Sequence, residues 1–102
     1  MAPTTKQTKT QRTPGFSIQL TPDTDLRIAI LIVEDEEGTY EPVDAASTIS
    51  EGKELAQGDL RAREHRLEND EDPGLCPYAY KLWARGIDGT HRVVATWSVA
   101  DL

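Results

Sequence analysis

The chain has 102 residues, of which 28% are charged and 37% hydrophobic, and a formal net charge of −7. That size and balance place it with soluble single domains rather than wholly disordered chains. A single cysteine, Cys76, excludes an intramolecular disulfide and a cysteine zinc cluster, and the longest aliphatic run, residues 28–33, is far too short to cross a bilayer.

The charge is unevenly spread. Residues 1–14 hold Lys6, Lys9 and Arg12 and no acid, which leaves −10 on residues 15–102. A body that acidic repels polynucleotides and anionic membranes at long range. Residues 1–15 are rich in Thr, Gln, Lys and Pro, with Met1 the only large apolar side chain. They cannot repay the entropy of ordering and read as a disordered basic arm, followed by one domain over residues 16–102. The arm has no apolar core of a secretory signal, so the expected location is cytoplasmic.

Residues 16–20 (FSIQL) alternate apolar and polar and suggest a short, extra N-terminal strand. Pro22, Asp23 and Asp25 then make a turn. Residues 26–34 (LRIAILIVE) form the strongest strand, apolar on both faces: Leu26, Ile28, Ile30 and Ile32 on one, Ala29, Leu31 and Val33 on the other. Gly38 sits in a turn at residues 36–39. Residues 40–43 return as a strand, which Pro42 confines to a sheet edge.

A helix follows. Thr48 and Glu51 are spaced as a capping box, and Ile49, Gly52, Ala56, Leu60 and Leu67 fall on one stripe at helical period. Gly52 on that stripe allows close approach to a sheet. Gly58 lies on the outer side with no evident reason. Asp59 and Arg63 form an i,i+4 pair in the favoured order, worth about 0.2–0.5 kcal/mol. Asp72-Pro73-Gly74 cannot continue the helix, which ends by Asp70.

Asp88-Gly89 matches a two-residue type I′ hairpin turn. Counting back from it pairs Tyr78 with Val99, Tyr80 with Trp97, Leu82 with Ala95 and Ala84 with Val93, all on one face. The other face then pairs Ala79 with Ser98, Lys81 with Thr96, Trp83 with Val94 and Arg85 with Arg92. The expected fold is α+β: an antiparallel four-stranded sheet in the order β-β-α-β-β, with one helix on one face. The strand of residues 26–34 lies inside, between residues 40–43 and the hairpin. The helix is expected to cover Tyr78, Tyr80, Leu82, Val93, Trp97, Ile28, Ile30 and Ile32.

The other face is the candidate site. It is expected to carry Ala29, Leu31, Val33, Tyr40, Trp83 and Val94, rimmed by Arg27, Lys81, Arg85 and Arg92. Apolar area with Trp and Arg is the usual makeup of a binding hot spot. Arginines opposed across a strand pair are unfavourable unless an anion lies over them. The negative body points to an acidic protein segment or a second copy, as a homodimer, rather than to a polynucleotide. The competing reading is intramolecular: residues 16–20 or the arm cover the face, and an acid of the same chain such as Glu34 sits between the arginines.

Nothing else carries chemistry. Cys76-Pro77 has no second haem ligand and reads as a small half-buried apolar residue. His65 and His91 are not at ligand spacing and read as surface histidines. The acidic runs at residues 34–37 and 68–72 do not match a calcium loop. With no phosphate loop and no nucleophile motif, the expectation is no enzyme, no cofactor and no metal. The leading function is a small interaction or regulatory module working through the open sheet face. The alternative is a nucleic-acid-associated accessory protein, whose basic arm touches phosphate or whose acidic body mimics DNA.

Overall fold

The structure, a computed structural model, describes residues 20–86 and 88–102. The arm expected over residues 1–15 and all but the last residue of the strand expected over residues 16–20 lie outside it. The described chain runs β1 (Ala29–Glu34), β2 (Tyr40–Ala46), α1 (Ile49–Glu68), β3 (Ala79–Arg85) and β4 (His91–Ser98), then a 3-10 turn, Val99–Asp101. The strands form one antiparallel sheet in the order β2-β1-β3-β4, and α1 packs on one side. This is the α+β arrangement and strand order expected. No helix among the described residues is long and apolar enough to cross a membrane.

Local chemistry explains the elements. Between β1 and β2, Asp35 Oδ1 accepts from the amides of Glu37 and Thr39, and Gly38 takes φ 87°, which closes the turn without strain. Pro42, which has no amide to donate, lies on the outermost strand. In β2, Pro42 opposes Ile32 while Asp44 opposes Leu31, so Val43 is a bulge residue; it turns toward the core. Thr48 caps α1, its Oγ1 accepting from the Glu51 amide at 3.0 Å. Glu51 reaches back to the Ser47 amide at 2.6 Å, one residue before the cap. At the far end the Glu71 amide donates to Arg66 O and the Asp70 amide to Leu67 O, a Schellman closure with Asp70 at φ 59°.

The core lies between α1 and the sheet. Ala29, Leu31 and Val33 of β1 and Tyr80, Leu82 and Ala84 of β3 are buried in it, with Ala46, Ala56 and Leu26. Gly52 permits the approach: a Cβ there would stand 3.0 Å from Leu82 Cδ2 and 3.3 Å from Trp97 Cη2.

Two expectations are corrected. The first is the facing of β1. Leu31 and Val33 are under the helix with no exposure, while Ile28 and Ile30 are 72% and 41% exposed on the other side. The strand is apolar on both faces, so its hydrophobic pattern does not choose between them. Arg27, at φ 65°, also breaks the alternation: Leu26 and Ala29 both enter the core, and the regular strand starts only at Ala29.

The second is the hairpin. Asp88 does not take positive φ, as a type I′ turn requires. Instead the Gly86 amide donates to Thr90 O and the Gly89 amide to Gly86 O, with Gly89 at φ 87°. That is a three-residue connection ending in a left-handed glycine. It shifts the near part of the register by one, so Arg85 opposes His91, Ala84 opposes Arg92 and Trp83 opposes Val93. An irregularity between Leu82 and Trp83 then restores the expected pairs, Leu82 with Ala95, Lys81 with Thr96, Tyr80 with Trp97 and Ala79 with Ser98. Val93 and Tyr78 are 38% and 56% exposed rather than covered, as is Leu67, at 65%, on the helix.

Candidate functional site

The side of the sheet away from α1 is uncovered by any described residue, and the registers place its side chains in rows. Arg85 and His91 are paired at one end, where Ile28 shares a concavity with Arg85. Ala45, Ile30, Trp83 and Val93 form the next row, Pro42, Ile32, Lys81 and Thr96 the third, and Tyr40, Glu34, Ala79 and Ser98 the last. Tyr40 is 63% exposed, and Ile32 and Trp83 are half-buried among their neighbours. A shallow groove of about 370 Å³ runs over this surface, lined by Ile30, Ile32, Glu34, Tyr40, Trp83 and His91. A folded domain leaves single apolar side chains exposed as a matter of course, but a contiguous set around a tryptophan marks an interaction surface.

The charges at the two ends of these rows differ. At the Tyr40 end, Lys81 Nζ pairs with Glu34 Oε1 at 3.1 Å, and Asp35, Glu36 and Glu37 follow in the adjoining turn. At the other end Arg27 and Arg85 line a concavity of about 560 Å³ with Leu26, Ile28, Gly86 and Gly89. The described residues include every Asp and Glu of the chain. None of them makes an ion pair with Arg27, Arg85 or Arg92. Asp25 accepts from the Arg27 backbone amide. Asp88 accepts from the Thr90 amide and hydroxyl at 3.0 and 2.7 Å; those bonds, with a lesser pull from Arg92, hold its carboxyl below the usual range.

Of the residues singled out in the sequence, Lys81, Trp83 and Arg85 stand on this face. Leu31 and Val33 do not; they are core. Val94 packs toward the core at the irregularity in β4. Arg92, opposite buried Ala84, is on the helix side of the sheet, where its Nε is buried with no hydrogen-bond partner among the described residues. The expected opposition of Arg85 and Arg92 therefore does not occur, and Glu34 lies beside Lys81 rather than between arginines. Ile28, Ile30, Ile32, Val93 and His91 belong to the face and were not assigned to it. The length of the β3–β4 connection decides His91 and Val93, and Gly86 beside Asp88-Gly89 was the available sign of a longer loop.

Away from this face, Arg63 is buried. Its Nε donates to Asp59 Oδ2 at 2.7 Å and its guanidinium nitrogens to Glu41 Oε1 at 2.9 Å, Pro73 O at 3.0 Å and Leu75 O at 3.2 Å. Tyr80 Oη donates to the same Asp59 oxygen at 2.7 Å. Burial works against the Arg63 charge, but the hydrogen bonds to Asp59 and Glu41 more than offset it and raise its pKa. The cluster ties α1 to β2, β3 and the loop after the helix, and every strong donor in it is satisfied, which is the signature of a structural network. Cys76 is exposed, not half-buried, beside Asp35, Glu36 and Glu37 in a hollow of about 210 Å³. Among the described residues no three His, Cys, Asp or Glu side chains gather as a metal site.

No family model matches the chain, and no curated protein or solved structure matches it.

Proposed function

We propose that the chain is a small protein-interaction or regulatory module that binds its partner through the uncovered face of the sheet. The observation that supports this reading is the contiguous exposure of Ile28, Ile30, Tyr40 and Val93 around half-buried Trp83. Exposed aliphatic and aromatic area in one patch gives association its driving force, and the charged rim of Lys81, Arg85 and His91 gives it orientation. The negative charge of the body favours a protein over a nucleic acid as the occupant.

Comparative capture from a host extract tests it. The wild-type chain and Ile30→Asp and Trp83→Ala variants are used as baits, with Lys53→Glu on the exposed side of α1 as the control. The expected result is a species retained by the wild type and the control and lost from both open-face variants. Equal retention by all four folded chains would contradict the reading.

A further inference from the structure

The rows of the open face are apolar at the centre and oppositely charged at their ends. One end presents Arg85 and, round the corner, Arg27; neither has an acidic partner in its own chain. The nearby acids are Asp25 and Asp88, and their carboxylates already accept from backbone amides. The other end presents Glu34 and the turn Asp35-Glu36-Glu37, where among the described residues Lys81 is the one cation paired with these four acids. Glu36 and Glu37 are exposed and make no ion pair with any described residue. The two ends are separated by the length of β1, roughly 20 Å at 3.3 Å per residue.

A surface with opposite charges at its two ends and an apolar middle is complementary to itself. Two-fold packing of two such faces has two forms. An axis along the strands stacks like end on like end, arginine over arginine and acid over acid. An axis across the strands stacks each basic end on the partner's acidic end, with Ile30 and Trp83 of one copy over Ile32 of the other. Charge selects the second form. We infer that the occupant of the open face is a second copy of this chain, packed sheet on sheet with strands antiparallel, so that Arg85 of each copy lies over the Glu34–Glu37 end of the other. This rests on the open face being the binding surface proposed above, and it specifies the partner. It also explains how an acidic chain can meet itself: the arginines left unpaired within one copy find their acids on the other.

The face is small. Four strands and six residues span on the order of 400 Å² per copy, about half of a standard interface. The association is therefore weak and reversible, in the micromolar range or above.

The test is analytical ultracentrifugation of the full chain with two charge-reversal variants at exposed positions, Arg85→Glu and Glu36→Lys, each first confirmed as folded by its unfolding midpoint. In the antiparallel pair every interface contains two Arg85-to-acid contacts. Each single variant alone therefore faces like charges twice, and its dissociation constant should rise about ten-fold or more. An equimolar mixture of the two variants restores both contacts, since glutamate at position 85 then meets lysine at position 36 and arginine meets glutamate. The mixture should associate as heterodimers close to wild-type strength, and Ile30→Asp should abolish association in every combination. A wild-type chain that stays monomeric across the micromolar range would overturn the self-pairing; the capture comparison, which needs no second copy, would still judge the open face by itself. Tighter association of Arg85→Glu would point to like ends stacked, and a mixture that does not recover would place the contact elsewhere. Either result overturns the inference.

Discussion

Asp70 stands at φ 59° immediately after the last turn of α1, where helices commonly place glycine. An aspartate there adopts a left-handed conformation against its preference and sets a negative charge at the negative end of the helix dipole. Asp70→Gly should stabilise the protein by about 1 kcal/mol, a rise of several degrees in the thermal midpoint. An unchanged or lower midpoint would mean that the Asp70 side chain contributes something the closure geometry does not reveal. Tyr80 gives a pH prediction. Burial first, and then its hydrogen bond to the Asp59 carboxylate, hold its hydroxyl well above the ordinary tyrosine value, about 10. Folding thus favours the neutral phenol. That contribution is fully present below pH about 10 and is lost as the pH rises through the elevated value of the folded state. The midpoint of the wild type should therefore fall more steeply above pH 10 than that of Tyr80→Phe, measured by thermal unfolding across the alkaline range. Parallel curves would contradict the assignment. The Arg63 cluster that surrounds Tyr80 was visible in the sequence only as an i,i+4 pair, because Glu41, Pro73 and Leu75 reach it from distant parts of the chain.

The two glycines of α1 separate packing from propensity at the scale of the element. Both lie inside the continuous helix, and a glycine costs about 1 kcal/mol relative to alanine in an exposed helix interior. Gly58 has nothing within 4 Å of an added Cβ, whereas Gly52 faces Leu82 and Trp97 at 3.0 and 3.3 Å. Gly58→Ala should then raise stability by up to about 1 kcal/mol, and Gly52→Ala should lower it, because the helix must lift off the sheet to admit the methyl group. Denaturant unfolding reads both; a stabilising Gly52→Ala would refute the close approach. The helix was legible in the sequence because its cap, its stripe and its Asp-Pro-Gly stop agree. The hairpin was legible only in its distal half. Gly89 suits a two-residue turn and a three-residue loop equally, and the two differ by one in register. The facing of β1 was not legible at all, because Ile28, Ile30 and Ile32 are as apolar as Ala29, Leu31 and Val33. The core took the smaller alanine together with Leu31 and Val33, against Ala84, Leu82 and Tyr80 of β3.

For the whole molecule, one helix covers one side of a four-stranded sheet and nothing described covers the other. The strand order and the identity of Trp83, Lys81 and Arg85 as open-face residues followed from the sequence; the aliphatic part of that face emerged only with the strands in register. The most direct measurement of its role is hydroxyl-radical labelling of the full chain, read residue by residue by mass spectrometry, first in dilute solution and then at rising concentration or with a captured partner. Ile30, Tyr40, Trp83 and Val93 should label readily in the dilute chain and become protected on association, while Leu31, Tyr80 and Leu82 stay protected throughout. Protection of Trp83 and Ile30 equal to that of Leu82 in the dilute monomer would mean that the chain covers this face itself, and the open face would then have no part in binding.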